Sequence, residues 1–383
     1  MSGRDARYRG DAPLRVSTLE LFFDLVFAFT LTRLTALLDR HLSATSVVQV
    51  VLIFGVLWWM YGAYAWLTNT RTPDRTPERL LLLLGMAGFL VAGLAIPGAF
   101  GARPGDSGVA LGVGYLLVVL VHSALFYRVN RNILRVTPVN VASALLVIVA
   151  GLAGGPAAYP LWAAALAIQV FSPLVVHPGG RFKIQPSHFV ERHGALVIVA
   201  LGESVAAVGI VAAAQQVTFA VATTAVLGLA LSAGLWWTYF GDGDDERAEQ
   251  AMTAARPEAR PGLALTGYFY AHIPMLLGVV VMATGVKLAI GHAVQPHPAA
   301  AIALGCGAAL FLAGHAWFRR ALRTGPVRLR LACAGFALAT MALGAKVSVE
   351  AQFAVLLAGI VAMLVAEHYR TGAIGASRVA ARQ

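Results

Sequence analysis

Between His188 and Ser204 the chain reads H-F-V-E-R-H-G-A-L-V-I-V-A-L-G-E-S. Four residues that can exchange protons or hold charge open it: His188, Glu191, Arg192 and His193. An apolar run from Ala195 to Gly202 follows, and Glu203 and Ser204 stand on its far side. A carboxylate within an apolar helix is costly, so it implies a partner or a function. Arg192 and Glu203 are three helical turns apart on one face, about 16 Å along the axis, too far to pair with each other. Near the N-terminus, Glu20 and Asp24 are one turn apart on a shared face. A helix N-terminus and headgroup water stabilise acidic groups there. Asp24 lies deeper, behind two phenylalanines, and is the more costly of the two. Arg33 faces elsewhere, and either snorkels to the outer interface or meets a carboxylate. Matching Glu20 to Glu191 brings Arg33 beside Glu203 and Ser204. The expectation is an Arg33–Glu203 ion pair, or a water-filled cavity between them. The alternative is that Glu203 hydrogen-bonds Ser204 or another polar neighbour.

Other candidate chemistry is weaker. His177, His188 and His193 with Glu191 match no standard zinc spacing. The run Gly241–Glu246 is rich in aspartate but lacks the spacing of a calcium loop, and reads as a solvated loop. Cys306 and Cys333 both lie in apolar stretches and support neither a disulfide framework nor a metal site. No cofactor is expected. His122, His272 and His315 read as structural imidazoles, with proton relay as the alternative. Pro274 should kink its helix and free backbone carbonyls. Gly85, Gly88 and Gly93 read as close helix packing.

These residues must be positioned by membrane helices. The chain is 58% hydrophobic and 12% charged, with a mean hydropathy of +0.73. Its apolar runs are about 20 residues long, the length that crosses a hydrocarbon core. The reading is an all-α polytopic membrane protein of about twelve transmembrane helices. They fall near 18–39, 46–67, 79–98, 109–128, 138–154, 159–177, 188–211, 218–240, 263–290, 298–318, 329–346 and 348–368. The first 16 residues are polar and Arg-rich, without an apolar h-region, so the first span is expected to direct insertion. Most of the 29 Lys and Arg fall in alternate loops. That places both termini in the cytoplasm. The net charge of +11 is therefore a topology signal; spread over many loops, it forms no nucleic-acid-binding patch. Trp58, Trp59, Tyr61, Tyr64 and Trp66, and again Trp236, Trp237 and Tyr239, read as interfacial aromatic belts.

Those clusters also repeat. L-W-W-M-Y at Leu57–Tyr61 matches L-W-W-T-Y at Leu235–Tyr239. Pro77-Glu78 matches Pro257-Glu258, and His122 in H-S-A-L-F-Y-R matches His315 in H-A-W-F-R-R, all in one order. This implies two parallel six-helix repeats, 17–177 and 178–370, between cytoplasmic tails 1–16 and 371–383.

Two segments, Ser17–Leu34 (S-T-L-E-L-F-F-D-L-V-F-A-F-T-L-T-R-L) and His188–Ser204, together resemble the bacterial low temperature requirement A family, and the L-W-W-x-Y segment after the second also fits. The resemblance covers nearly the whole chain and implies a multi-spanning inner-membrane protein linked in name to growth in the cold. It carries over a motif set: Glu20, Asp24, Glu191, Arg192, His193, Gly202, Glu203 and Ser204. It implies no catalytic residues. The expected function is a transporter or channel for a small ion or solute, with Glu20, Asp24, Arg33, His188, Glu191, Arg192, His193, Glu203 and Ser204 along its path and the lipid bilayer as its surroundings. The alternatives are a lipid-acting membrane enzyme using His188, Glu191 and His193 near the headgroups, and a membrane sensor or scaffold. The sequence has no familiar nucleophile or metal motif for the enzyme.

Overall fold

Ser17 starts the first helix by a reciprocal cap. Its hydroxyl accepts the Glu20 amide, and the Glu20 carboxylate accepts the Ser17 amide. Both donors would otherwise be orphaned. From there the computed structural model is helical and, among the described residues, has no strand. It describes residues 15–71, 73–101, 106–175, 184–213, 216–241, 243–290 and 295–380. Most of the N-terminal tail, the 177/178 boundary with His177, Asp242 and residues 381–383 lie outside the described residues.

The helices are α1 (Thr18–Arg40), α2 (Ala44–Thr70), α3 (Thr76–Ala95), α4 (Asp106–Tyr127), α5 (Ile133–Ala153), α6 (Ala158–Val175), α7 (Pro186–Ala213), α8 (Phe219–Phe240), α9 (Asp244–Ala254), α10 (Arg260–Leu263), α11 (His272–Ala289), α12 (Pro298–Leu322), α13 (Arg328–Lys346) and α14 (Val349–Ala380). Among the described residues, 10 helical stretches are long and apolar enough to cross a membrane. The exposed faces are apolar: Phe22, Leu25 and Leu80 are 49%, 56% and 60% exposed. Glu20, Asp24, Arg192, Asp244, Arg319 and Arg330 are buried. Apolar outside and charged inside is the distribution a lipid solvent imposes. This is an integral membrane protein.

Successive helices pack in a regular order: α3 on α4, α4 on α5, α5 on α6; then α11 on α12, α12 on α13, α13 on α14. α2 closes on α6, and α8 on α14. Three helices, α1, α7 and α11, touch one another pairwise and form a central seam. Close approach needs small residues. A Cβ on Gly88 would lie 2.8 Å from the Gly114 carbonyl, and one on Gly114 equally close to the Gly88 carbonyl. α3 and α4 therefore meet backbone to backbone.

The aromatic belt at Trp58–Trp66 is corrected. Trp58, Tyr61 and Tyr64 are fully buried, because α2 packs against α1, α4, α6, α7 and α11. In the second cluster only Trp236 and Trp237 face outward, and Tyr239 is buried. The expected break at Pro274 takes the form of a π-helix over Ala264–Tyr270, just before α11. Its ladder closes with the Ala271 amide on the Thr266 carbonyl. The Phe269 carbonyl accepts from Trp58 Nε1 at 3.1 Å, so α2 is tied across to this segment.

Candidate functional site

At the end of the seam where α1 and α7 begin, four of the expected residues meet. Arg192 Nη1 lies 3.3 Å from Glu20 Oε2, and Arg192 Nη2 lies 3.2 Å from Asp24 Oδ1. The one-turn spacing of the two carboxylates lets a single guanidinium from α7 span both. His188 Nε2 lies 2.9 Å from Glu20 Oε2. α2 completes the shell: Tyr61 donates to Asp24 Oδ1 at 2.8 Å, and Arg192 Nη1 also donates to the Thr68 hydroxyl. The guanidinium carbon stands 5.5 Å from the ring centroids of both Phe23 and Tyr61. Glu20 divides its work between two oxygens. Oε1 caps α1 through Ser17, at 2.8 Å from its hydroxyl, while Oε2 faces the cation.

The network fixes the protons on His188. Asn69 Oδ1 accepts the Gln185 amide at 3.0 Å, so Asn69 Nδ2 is the donor facing His188 Nδ1 at 3.3 Å. Nδ1 thus accepts, and the ring hydrogen falls on Nε2, the nitrogen that faces Glu20. A neutral imidazole satisfies both contacts. The cluster then holds two carboxylates and one guanidinium. Asp24 Oδ2 is buried with no partner among the described residues. Among the described residues the cluster therefore holds one carboxylate more than it has guanidiniums.

A narrow cavity of about 20 Å³ reaches this cluster at Thr68. Arg71, Glu78 and Arg128 line it too, and it has room for about one water.

The other expected residues stand apart. Glu191 is exposed and accepts the Val16 amide at 3.2 Å. His193 Nδ1 faces the Phe189 carbonyl at 2.8 Å, and its ring packs on Phe189, Tyr268 and His272. His188 and His193 are both buried within protein. The Arg33–Glu203 ion pair is absent among the described residues. Arg33 stands over the Phe29 ring, and its Nε has no partner. Glu203 is half-buried, and the Thr32 hydroxyl of α1 and the Lys287 ammonium are near enough to act on its carboxyl. Ser204 is buried and its hydroxyl has no partner among the described residues. Matching two helices in sequence does not fix how each is rotated about its axis, and here the rotation offers Thr32 rather than Arg33. Farther along, Lys287 pairs with Asp39 at 2.9 Å. Asp24, Thr32 and Asp39 thus mark the seam at intervals of about 10–12 Å along α1.

A second buried cluster was missed. Asp244, read as part of a solvated loop, is fully buried at the start of α9 and lies 2.5 Å from Arg319 Nε. Glu367 Oε2 lies 2.9 Å from Arg319 Nη1 and 3.0 Å from Arg330 Nη2. Arg330 Nη1 donates to the Thr238 carbonyl at 2.6 Å and to His315 Nδ1. Arg319 and Arg330 read as loop cations, but α12 runs on to Leu322 and takes Arg319 inside. His315 and Arg319, one turn apart, were the available signal, the same spacing as Glu20 and Asp24. Here two guanidiniums face two carboxylates, and Arg247, 2.7 Å from Asp244 Oδ1 with a 39% exposed side chain, adds a third cation at the rim.

An all-helical membrane bundle with charge-paired interior helices is the class these features define. The bacterial low temperature requirement A proteins (LtrA) match residues 15–366, and the chain belongs to that family. It is also similar to an uncharacterised protein, RA0937, of Rhizobium meliloti (strain 1021), 28% identical over 324 residues, covering 80% of this chain and 77% of that protein.

Proposed function

We propose that this protein is a transporter or channel for a small ion, with Glu20, Asp24, His188 and Arg192 as its binding site and the α1–α7–α11 seam as its path. The observation that carries this is the cluster of two buried carboxylates sharing one guanidinium, with Asp24 Oδ2 unpartnered among the described residues. A buried pair of carboxylates with one cation between them is costly, and a proton or a small monovalent cation at Oδ2 removes the cost. Glu203 with Thr32, then Asp39 with Lys287, supply polar steps toward the opposite end of the seam. Around this path we read twelve spans, counting α6 and α7 with the ten apolar stretches. They form two parallel six-helix repeats with both termini in the cytoplasm of the inner membrane. The matching neighbour order of α3–α6 and α11–α14 supports the repeat, and the alternating basic loops support the orientation.

Sealed proteoliposomes under imposed proton and potassium gradients test this. Flux through the wild type above that of empty liposomes, reduced in a folded Glu203→Gln protein, is the expected result. No flux from intact wild type under either gradient would remove the transport reading.

A further inference from the structure

The two carboxylates of the α1–α7 cluster are held differently. Glu20 takes donors on both oxygens. Its Oε1 accepts the Ser17 amide at 3.2 Å and the Ser17 hydroxyl at 2.8 Å, and its Oε2 accepts Arg192 Nη1 at 3.3 Å. Asp24 takes both of its donors on one oxygen. Its Oδ1 accepts the Tyr61 hydroxyl at 2.8 Å and Arg192 Nη2 at 3.2 Å, while Oδ2 is buried with no partner among the described residues. An ionised carboxylate accepts on both oxygens, as Glu20 does. A protonated one accepts on its carbonyl oxygen and carries a hydrogen on the other. Asp24 has the second pattern.

A metal cation suits this place poorly. Sodium or potassium needs several oxygens to replace its water. Next to Asp24 stand the Arg192 guanidinium and the rings of Phe23, Phe27 and Tyr61, with the Phe27 and Tyr61 centroids 4.4 Å apart and Phe89 of α3 edge-on to both phenylalanines. A metal ion on Oδ2 would also stand close to that guanidinium, and like charges repel strongly in a buried site. A proton avoids both costs, because it leaves a neutral acid, and burying a hydroxyl costs far less than burying a charge. It needs no wide path either. The cavity at Thr68, whose hydroxyl takes Arg192 Nη1, has room for about one water.

The charged and titratable groups that act on Asp24 are Arg192 from α7, Tyr61 from α2 and Glu20 from its own helix. His188 of α7 reaches only Glu20, α3 presents the Phe89 ring, and the ion pair of α11 with α1 lies farther along, between Lys287 and Asp39. We infer, on the reading of this cluster as an ion site, that the ion is a proton bound and released at Asp24 Oδ2, with Glu20 remaining ionised. Uptake forms an O–H bond at Oδ2 and turns a hydronium ion into water; release reverses both. Tyr61 is a positioning residue that keeps Oδ1 as the acceptor.

Infrared difference spectroscopy of the full-length protein in proteoliposomes, recorded between neutral and acid pH, tests this. A protonated-carboxyl C=O band is expected in the wild type and its loss in Asp24→Asn. In Tyr61→Phe, which removes a donor to Oδ1 and keeps the ring, the same band is expected to persist at a higher frequency. A carboxyl spectrum unchanged by Asp24→Asn would overturn the inference, as would a band that Tyr61→Phe leaves in place. Proton- and potassium-sensitive dyes in the same proteoliposomes separate the inference from the transport reading. Potassium flux that Asp24→Asn abolishes, with no movement of protons, would overturn the inference too. No flux of either ion, with the Asp24 band present, would remove the transport reading and leave Asp24 as a proton site.

Discussion

Replacing Arg192 by methionine is expected to destabilise the protein by about 3–5 kcal/mol, the usual cost of removing one partner from a buried ion pair. The side chain is 1% exposed, and it is the only cation within ion-pair distance of Glu20 and Asp24 among the described residues, neutral His188 aside. Without it, two carboxylates one turn apart would stand together in a buried site. The Thr68 hydroxyl would lose its donor as well. Thermal melting in detergent micelles is the measurement, and a melting temperature within error of the wild type would refute the pairing. Adding Asp24→Asn to Arg192→Met should recover part of the loss, because contacting charges are not additive.

The second large effect is expected at Glu367. Its Oε2 faces both Arg319 and Arg330, so Glu367→Gln keeps the shape but removes one of the two buried carboxylates that pair with both guanidiniums. The cost should again be about 3–5 kcal/mol. The same melting experiment checks it, and the Glu367→Gln/Arg330→Met double variant should lose less than the sum of the singles. A neutral outcome for Glu367→Gln would mean that the cluster does not hold α12, α13 and α14 together.

That the chain is an all-helical integral membrane protein was legible in the sequence because apolar runs of membrane length leave little choice. The one-turn spacing of Glu20 and Asp24 was legible for a similar reason: a helix fixes which neighbours share a face. Tertiary pairing was not. Nothing in the chain says that Arg192 reaches across to α1, and matching α1 with α7 misplaced Arg33 because it carries no information on helix rotation. Trp58 and Tyr61 have the composition of an interfacial belt, yet the same rings fill the core when their helix is central. Asp244, Arg319 and Arg330 were hidden by position. Near the end of an apolar run, a buried charge and a loop charge look alike until the helix is seen to extend past the run, as α12 does.

The central claim is that the Glu20–Asp24–His188–Arg192 cluster takes an ion because it lacks one positive charge. Asp24→Asn removes that lack while keeping the shape, leaving one carboxylate for one guanidinium. Ion flux in sealed proteoliposomes, measured side by side for wild type and a folded Asp24→Asn protein, tests this most directly. Flux is expected in the wild type and its loss in Asp24→Asn, with a melting temperature no lower than that of the wild type. Undiminished flux through Asp24→Asn would contradict it.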